Sequence, residues 1–342
     1  MDGPFPEWTW IVGFYIGAAI GSFLNVVIYR MPRGLSLAEP AHSFCPSCRH
    51  RLGWKDLFPL FSWIFQRGKC RYCKVSIPAR YLSVEIITGA LFGAFWYQNF
   101  SAGNDLARGV ILPLFAACCV AAIFIDLKFY IIPDQINAAM FGLGIALNVV
   151  LILQHKPDAM TWGMPSAIAG ALAGIGALWG IALLGRLIFK KDAMGHGDIK
   201  MARGIGAVLF PVAALMSFAV AVALGAMGGI LQILWRRKEE EASGDDEDWE
   251  EEPPESIGSL LKCGLGYVLC MDIWGLFRPK LYESWFGENP YAVEVVEEED
   301  FQVGATMIPF GPYLAAGALV LALFEPHFRE WLDAYVKGIT GM

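Results

Sequence analysis

The sequence predicts an all-α polytopic membrane protein, a bundle of about eight transmembrane helices with a small cytoplasmic four-cysteine module. Three observations lead there. Hydrophobic residues make up 56 % of the 342-residue chain and charged residues only 17 %, against about 45–50 % and about 25 % in soluble domains. The mean hydropathy is +0.47. The apolar residues also fall in blocks near the length that crosses a hydrocarbon core, about 20 residues. This pattern excludes a purely soluble enzyme, a disordered chain and a disulfide-dense secreted module.

The blocks are 8–29, 82–99, 109–126, 138–154, 164–189, 201–235 and 312–325. The first is not preceded by the positive region of a cleavable signal peptide, so it is expected to remain as an anchor. Block 201–235 is too long for one span and contains Pro211, which suggests two crossings, the first a short one over 201–210. The segment between the first two blocks carries ten Lys and Arg residues from Arg30 to Arg80. Lys and Arg concentrate in cytoplasmic loops, so this segment is expected inside and the N-terminus outside. Alternation then puts 127–137, 190–200 and 236–311 inside, which requires 201–235 to cross twice and gives eight helices in all. The resulting segments are 1–29, a first helix with an N-terminal signature; 30–81, the cysteine module; 82–236, a transmembrane core; 237–311, an acidic insertion with an amphipathic subdomain; and 312–342, a last helix and tail.

The net charge of -7 is a local effect. Residues 239–255 hold 11 acidic and no basic residues, and taking these from the 33 leaves 22 against 26 Lys and Arg. The remaining chain is mildly basic, without the concentrated basic face of a nucleic-acid binder. The acidic run itself reads as a solvated, disordered stretch.

Four of the eight cysteines form two CxxC knuckles, Cys45-Pro-Ser-Cys48 and Cys70-Arg-Tyr-Cys73, separated by 21 residues. Two such knuckles can close a tetrahedral thiolate site around Zn²⁺, and this gap is one residue beyond the usual range. Arg49, Lys69, Arg71 and Lys74 favour thiolate formation. The alternative is two disulfides or unligated thiols; a reducing cytoplasm disfavours the disulfides. A four-cysteine site is closed, so its zinc would be structural. Adjacent Cys118 and Cys119 sit in an apolar block and read as packing residues.

Two acidic stretches border apolar blocks, Ile125-Asp126-Leu-Lys128 running to Pro133-Asp134, and Gly195-His196-Gly197-Asp198-Ile-Lys200. Ionisable groups at membrane depth are functional candidates by default. Gly195 and Gly197 would let the backbone approach closely and bend sharply just before Asp198, and Pro133 would redirect the chain near Asp134. If the two stretches meet, Asp126 and Asp198 share a proton. One can then activate a water while the other protonates a substrate carbonyl, which is aspartyl proteolysis. Lys128 and Lys200 could tune these acids or meet lipid phosphates. The plainer alternative is that the acids cap helices or pair with the lysines. His196 reads as a neutral loop residue.

At this point the residues resemble a family. Gly21-Ser-Phe-Leu-Asn25 through Arg30-Met-Pro32, the two CxxC knuckles, Arg80-Tyr-Leu-Ser-Val-Glu85, Asp126 in IDLKFYIIPD, Asp198 in MGHGDIK, and Ile308-Pro-Phe-Gly311-Pro-Tyr313 are together similar to the type IV prepilin peptidases. These are bifunctional leader peptidase and N-methyltransferase enzymes of the GxGD aspartyl protease class. The resemblance covers most of 14–236 and resumes at 308–325. It implies Asp126 and Asp198 as catalytic residues, supported by Gly195, Gly197, Lys200 and Asp134. It implies prepilin or pseudopilin substrates cut after Gly on the cytoplasmic side, and methylation of the new N-terminal residue from S-adenosylmethionine. It implies a multi-pass protein of the bacterial inner membrane, in contact with membrane lipids and with pilus or type II secretion machinery, and without nucleic acid. Asn25, Arg30, Lys69 and Glu85 are the candidate residues for the methyl donor. Residues 239–307 depart from the family pattern as an insertion. Competing readings are a peptidase without methylation, an ion-coupled transporter using the same carboxylates, and a non-enzymatic membrane scaffold.

Overall fold

Each apolar block of the sequence becomes a helix. The computed structural model describes residues 3–103, 105–191, 194–243, 255–287 and 309–324, with side chains of 231–243 excepted. Its helices are α1 (Trp10–Arg30), α2 (Phe61–Phe65), α3 (Arg80–Trp96), α4 (Leu106–Phe129), α5 (Asp134–Leu153), α6 (Ser166–Phe189), α7 (His196–Ser243), α8 (Ile257–Val268), α9 (Met271–Phe277), α10 (Pro279–Phe286) and α11 (Gly311–Phe324). Most of the acidic run, the stretch 288–308 (with Ile308) and the tail after 324 lie outside the described residues.

Five helices among the described residues are long and apolar enough to cross a membrane, or six if the bent pair α8–α9 counts as one span. Helix α7 is not continuous. Phe210 breaks it with φ 65 and ψ 171, immediately before Pro211. Proline cannot donate to the preceding turn and forces the residue before it out of helical conformation. The break falls where the sequence predicts the end of a short crossing. With the two parts of α7 counted separately, and the shorter α3 and α11 included, eight apolar helical segments correspond to the predicted blocks. The protein is a multi-pass membrane protein.

The chain divides into two compact units, one running to Ile125 and the other beginning at Asp126. In the first, α1 packs along α3. Gly17 and Gly21 of α1 admit the backbone of α3, since a Cβ at these positions would lie 2.5 Å from the Phe92 side chain and 2.8 Å from the Glu85 backbone. Close approach through small residues is the usual way membrane helices associate. In the second unit α7 packs against α5 and α6. A Cβ on Gly170 of α6 would lie 1.9 Å from the Gly206 carbonyl of α7, so the two backbones are in direct contact there.

After the acidic run the chain forms α8, α9 and α10, which pack against α6 and α7. The Trp179 indole donates to the Leu260 carbonyl (3.1 Å). Arg203 of α7 and Asp272 of α9 form a two-pronged ion pair at 2.8 and 2.6 Å.

Candidate active site

Asp126 lies in the last turn of α4 and is 5 % exposed. Its carbonyl accepts from the Tyr130 N–H (3.0 Å), and Tyr130 takes a left-handed conformation (φ 54) that ends the helical run. Pro133 then starts α5 at Asp134. Asp198 lies in the first turn of α7 and is half-buried. The two acids thus come from the end of one helix and the start of another, as proposed from the sequence. They are close enough for the Asp126 charge to act on Asp198.

Each carboxylate is held by a glycine N–H. Gly311, at the start of α11, donates to Asp126, and Gly195 donates to Asp198. Gly311 was noted in the sequence only as part of a motif, not as a site residue. A Cβ there would lie 2.5 Å from Oδ2 of Asp126 and 2.8 Å from Ile132. The signal that could have found it is a glycine between Phe310 and Pro312 at the mouth of an apolar block.

Neither Gly195 nor Gly197 has a positive φ. A Cβ on Gly195 would lie 3.4 Å from Asp198 Oδ2 and one on Gly197 3.4 Å from Ile132, both ordinary contact distances.

The supporting residues form a second polar layer. Lys200 donates to both oxygens of Asp134 (2.8 and 2.9 Å) and to the Tyr282 hydroxyl (2.9 Å), which donates to Asp134 Oδ2 (2.6 Å). Lys200 is 6 % exposed, so it is not placed to meet a lipid phosphate. His196, read from the sequence as a loop residue, is the first residue of α7. Its Nε2 lies 2.9 Å from Glu255, and its Nδ1 lies 2.7 Å from the Tyr267 hydroxyl. Glu255 in turn accepts from Ser259. Tyr282, Glu255, Tyr267 and Asp272 all come from the segment 239–307. Sequence reasoning missed them because nothing local ties them to residues some sixty or more positions earlier.

In the first unit, the thiols of Cys45, Cys48, Cys70 and Cys73 all lie within 4.8 Å of one another. The two knuckles repeat one geometry. The Cys45 N–H donates to the His50 carbonyl and the Cys70 N–H to Val75, and Arg49 and Lys74 are left-handed (φ 55 and 61). None of the four is in a disulfide. Cys45 and Cys73 are 3.9 Å apart, near the separation of about 3.8 Å that tetrahedral ligands at about 2.3 Å from zinc would have. Burial opposes ionisation of Cys70, but N–H groups of Cys73 and Tyr72 outweigh it and bring its thiol down to about 7. The His50 N–H pulls Cys48 the same way, yet desolvation and the Cys45 and Cys73 thiols push it up to about 11. Four thiolates this close need a cation between them, and the donor set fits a zinc ion.

The candidates for a methyl donor are otherwise engaged. Asn25 donates to the Tyr81 carbonyl (3.0 Å). Arg30 is buried and donates to the carbonyls of Ser36, Pro40 and His42, each at 3.0 Å. Glu85 accepts from the Leu60 N–H (2.7 Å) and from Ser22. Lys69 lies in the second knuckle, bridged to Ser76.

Comparison with known proteins agrees with this layout. Residues 15–99 match the bacterial peptidase A24 N-terminal domain, and residues 113–230 match the type IV leader peptidase family. The chain is 32 % identical over 331 residues to a prepilin leader peptidase/N-methyltransferase of Myxococcus xanthus, covering 96 % of this chain and 94 % of that one. It is 37 % identical to the protein of that name from Klebsiella pneumoniae, over 57 % of this chain and 83 % of the other. For Stutzerimonas stutzeri the values are 34 %, 62 % and 78 %. No solved structure gave a significant match.

Proposed function

That the chain belongs to the type IV leader peptidase family is the premise from which we propose that it is a bifunctional prepilin leader peptidase and N-methyltransferase. It cleaves the leader of prepilins or pseudopilins after Gly and methylates the residue thereby exposed. Asp126 and Asp198 carry the cleavage. The observation that supports them is the pairing itself: two carboxylates from separate helices, the Asp126 charge acting on Asp198, each fixed by a glycine N–H. Such a pair holds one proton between them. The ionised member takes a proton from water as the water oxygen attacks the scissile carbonyl, and the protonated member gives its proton to the carbonyl oxygen. Collapse of the tetrahedral intermediate breaks the C–N bond, and the proton taken from water goes to the departing amine. The leader leaves as a carboxylic acid and the mature pilin begins with a free amine.

Cys45, Cys48, Cys70 and Cys73 would hold a zinc ion that ties two knuckles of a segment too small for its own core. The methyl donor is of the S-adenosylmethionine class. Asn25, Arg30, Lys69 and Glu85 stay the candidate residues for it; Asn25 Nδ2, Arg30 and Glu85 also bond within the protein, and no step is assigned to them. The ten Lys and Arg between Arg30 and Arg80 support a cytoplasmic face for the module. The N-terminus is then outside, in the inner membrane of a bacterium. The secretion or pilus machinery is the expected neighbour. A transporter reading is disfavoured because both acids stand at helix ends rather than at mid-span.

The test is cleavage of a prepilin peptide by the full chain in liposomes with S-adenosylmethionine, read by product mass. The wild type should trim after Gly and add one methyl group, while folded Asp126→Asn and Asp198→Asn variants should leave the substrate intact. Cleavage by either variant at the wild-type rate would refute the assignment.

A further inference from the structure

The segment between the two knuckles contains a run that composition alone would not place in a membrane. Residues 57–65, LFPLFSWIF, are apolar and are bounded by Lys55-Asp56 on one side and Gln66-Arg67 on the other. A run this short is below the length of a span. Its surroundings nevertheless belong to the spanning helices. The Phe61 ring stacks on Tyr15 of α1, with centroids 6.5 Å apart and planes 14° from parallel. Tyr15 stands fifteen residues before Arg30, so it is about 22 Å from the charged end of α1 at about 1.5 Å per residue. The Leu60 N–H meets Glu85, whose backbone packs on Gly21, about 13 Å from that same end by the same rise. A hydrocarbon core is about 30 Å thick, so the turn packs on the part of α1 expected to cross it.

The backbone of the turn has the features that immersion requires. In lipid every main-chain polar group must find a protein partner. Leu60 is left-handed (φ 64), and its N–H has no helical acceptor. The Glu85 carboxylate supplies one at 2.7 Å. The Ser62 and Ile64 N–H groups donate to Phe58 and Leu60. The chain then returns: the Trp63 indole donates to the Ile77 carbonyl (3.2 Å), just before α3 begins. On the outer side Phe58, Ile64 and Phe65 are 52 %, 54 % and 81 % exposed. Phe58, Phe61 and Phe65 line one open concavity, rimmed by Trp54, Lys55 and Arg71, and Phe61 joins this face to Tyr15 of α1. Trp54 and Lys55 stand where the run begins, with the Lys55 ammonium 5.4 Å from the Trp54 ring, a pairing suited to the membrane–water boundary.

We infer that residues 57–65 form a re-entrant turn whose apex, Pro59 to Phe61, is immersed in the bilayer and whose exposed aromatic face is covered by lipid acyl chains. The module between α1 and α3 is therefore fastened into the membrane from its own middle, not only at its two ends. Glu85 serves as an internal acceptor for the apex, which accounts for a buried carboxylate with no cationic partner in the contacts that hold it.

The experiment uses the unmodified full chain in liposomes containing a phospholipid with a photoactivatable diazirine near the end of one acyl chain. After illumination, trypsin releases Asp56–Arg67 as one peptide, cut after Lys55 and Arg67. The expected result is a gain of one lipid mass on that peptide, on Phe58, Ile64 or Phe65, at a yield comparable with the peptide carrying α1. A tag on α1 with none on Asp56–Arg67 would overturn the inference. A cross-link from that peptide to a second copy of the chain would also overturn it, by giving the face a protein partner. A Phe65→Asp variant provides an independent reading. It should reduce membrane extraction resistance of the module, seen as trypsin cutting after Arg67 in intact liposomes, where the wild type is protected; equal protection in both would count against immersion.

Discussion

Removing the Asp272 carboxylate strips Arg203 of its counter-charge in a place that water does not reach. The two side chains are 1 % and 2 % exposed, and they meet through two bonds of 2.8 and 2.6 Å. Arg203 also donates to the Tyr267 carbonyl at 3.1 Å and meets the Cys270 thiol, while among the described residues its Nε has no hydrogen-bond acceptor. Breaking a buried pair by deleting one member costs about 3–5 kcal/mol, because the remaining charge is stranded. At about 1.4 kcal/mol per factor of ten, this is two to nearly four powers of ten in the equilibrium for undocking α9. Amide exchange of α8 and α9 in detergent micelles reads that equilibrium directly. Asp272→Ala should speed exchange there by that factor and leave α1 and α3 unchanged. The double replacement Arg203→Met with Asp272→Leu removes both charges and keeps the volume, and such replacements are often neutral or stabilising. It should restore slow exchange. Wild-type exchange in Asp272→Ala, or a double variant as open as the single one, would refute the reasoning.

Three other outcomes are expected. Gly311→Ala places a methyl group 2.5 Å from Asp126 Oδ2; displacement of the carboxylate should lower kcat for cleavage by about a hundredfold, while methylation of an already cleaved peptide serves as the control and stays unchanged. Tyr282→Phe loses a hydroxyl bonded to both Asp134 and Lys200; hydrogen bonds to charged groups contribute about 1.5–3 kcal/mol, so α10 amides should exchange about ten- to a hundredfold faster. Cys48→Ser should lose zinc, read by elemental analysis of the purified protein, and with it the protease resistance of residues 43–76, because one absent thiolate opens a closed four-ligand site.

What could be read from the chain follows the range of the physics involved. Apolar blocks report burial in lipid residue by residue, so the helices fall where the sequence puts them. Pro211 reports its own break, because its ring acts within one turn. The CxxC knuckles carry their geometry in four-residue units, and Asp126 and Asp198 stand out because charge is costly at membrane depth. The misread features depend on contacts between distant segments. Lys200 suggested an acid two residues away or a lipid phosphate, but the fold brings Asp134 and Tyr282 to it. The run 57–65 was too short to be recognised as a membrane segment, because a re-entrant turn needs half the length of a span.

The placement of the insertion follows from the period of α7. His196, Lys200 and Arg203 stand at i, i+4 and i+7, within about 60° of one another around a helix that turns about 100° per residue. Asp198 lies about 200° from His196 by the same rule, on the opposite side. The three polar residues therefore form the back of the helix whose front carries the acid. That back is where the insertion binds, through Glu255 and Tyr267 to His196, Tyr282 to Lys200 and Asp272 to Arg203. The insertion so described supplies no group to the acid pair. It holds the acid-bearing helix from behind, against α5 through Asp134 and against α6 through Trp179. A residue that acts in this way should change the geometry of Asp198 and not the binding of substrate. Weakening the insertion's grip should then lower kcat while leaving KM near its wild-type value, whereas a group lining the substrate path would move KM as well.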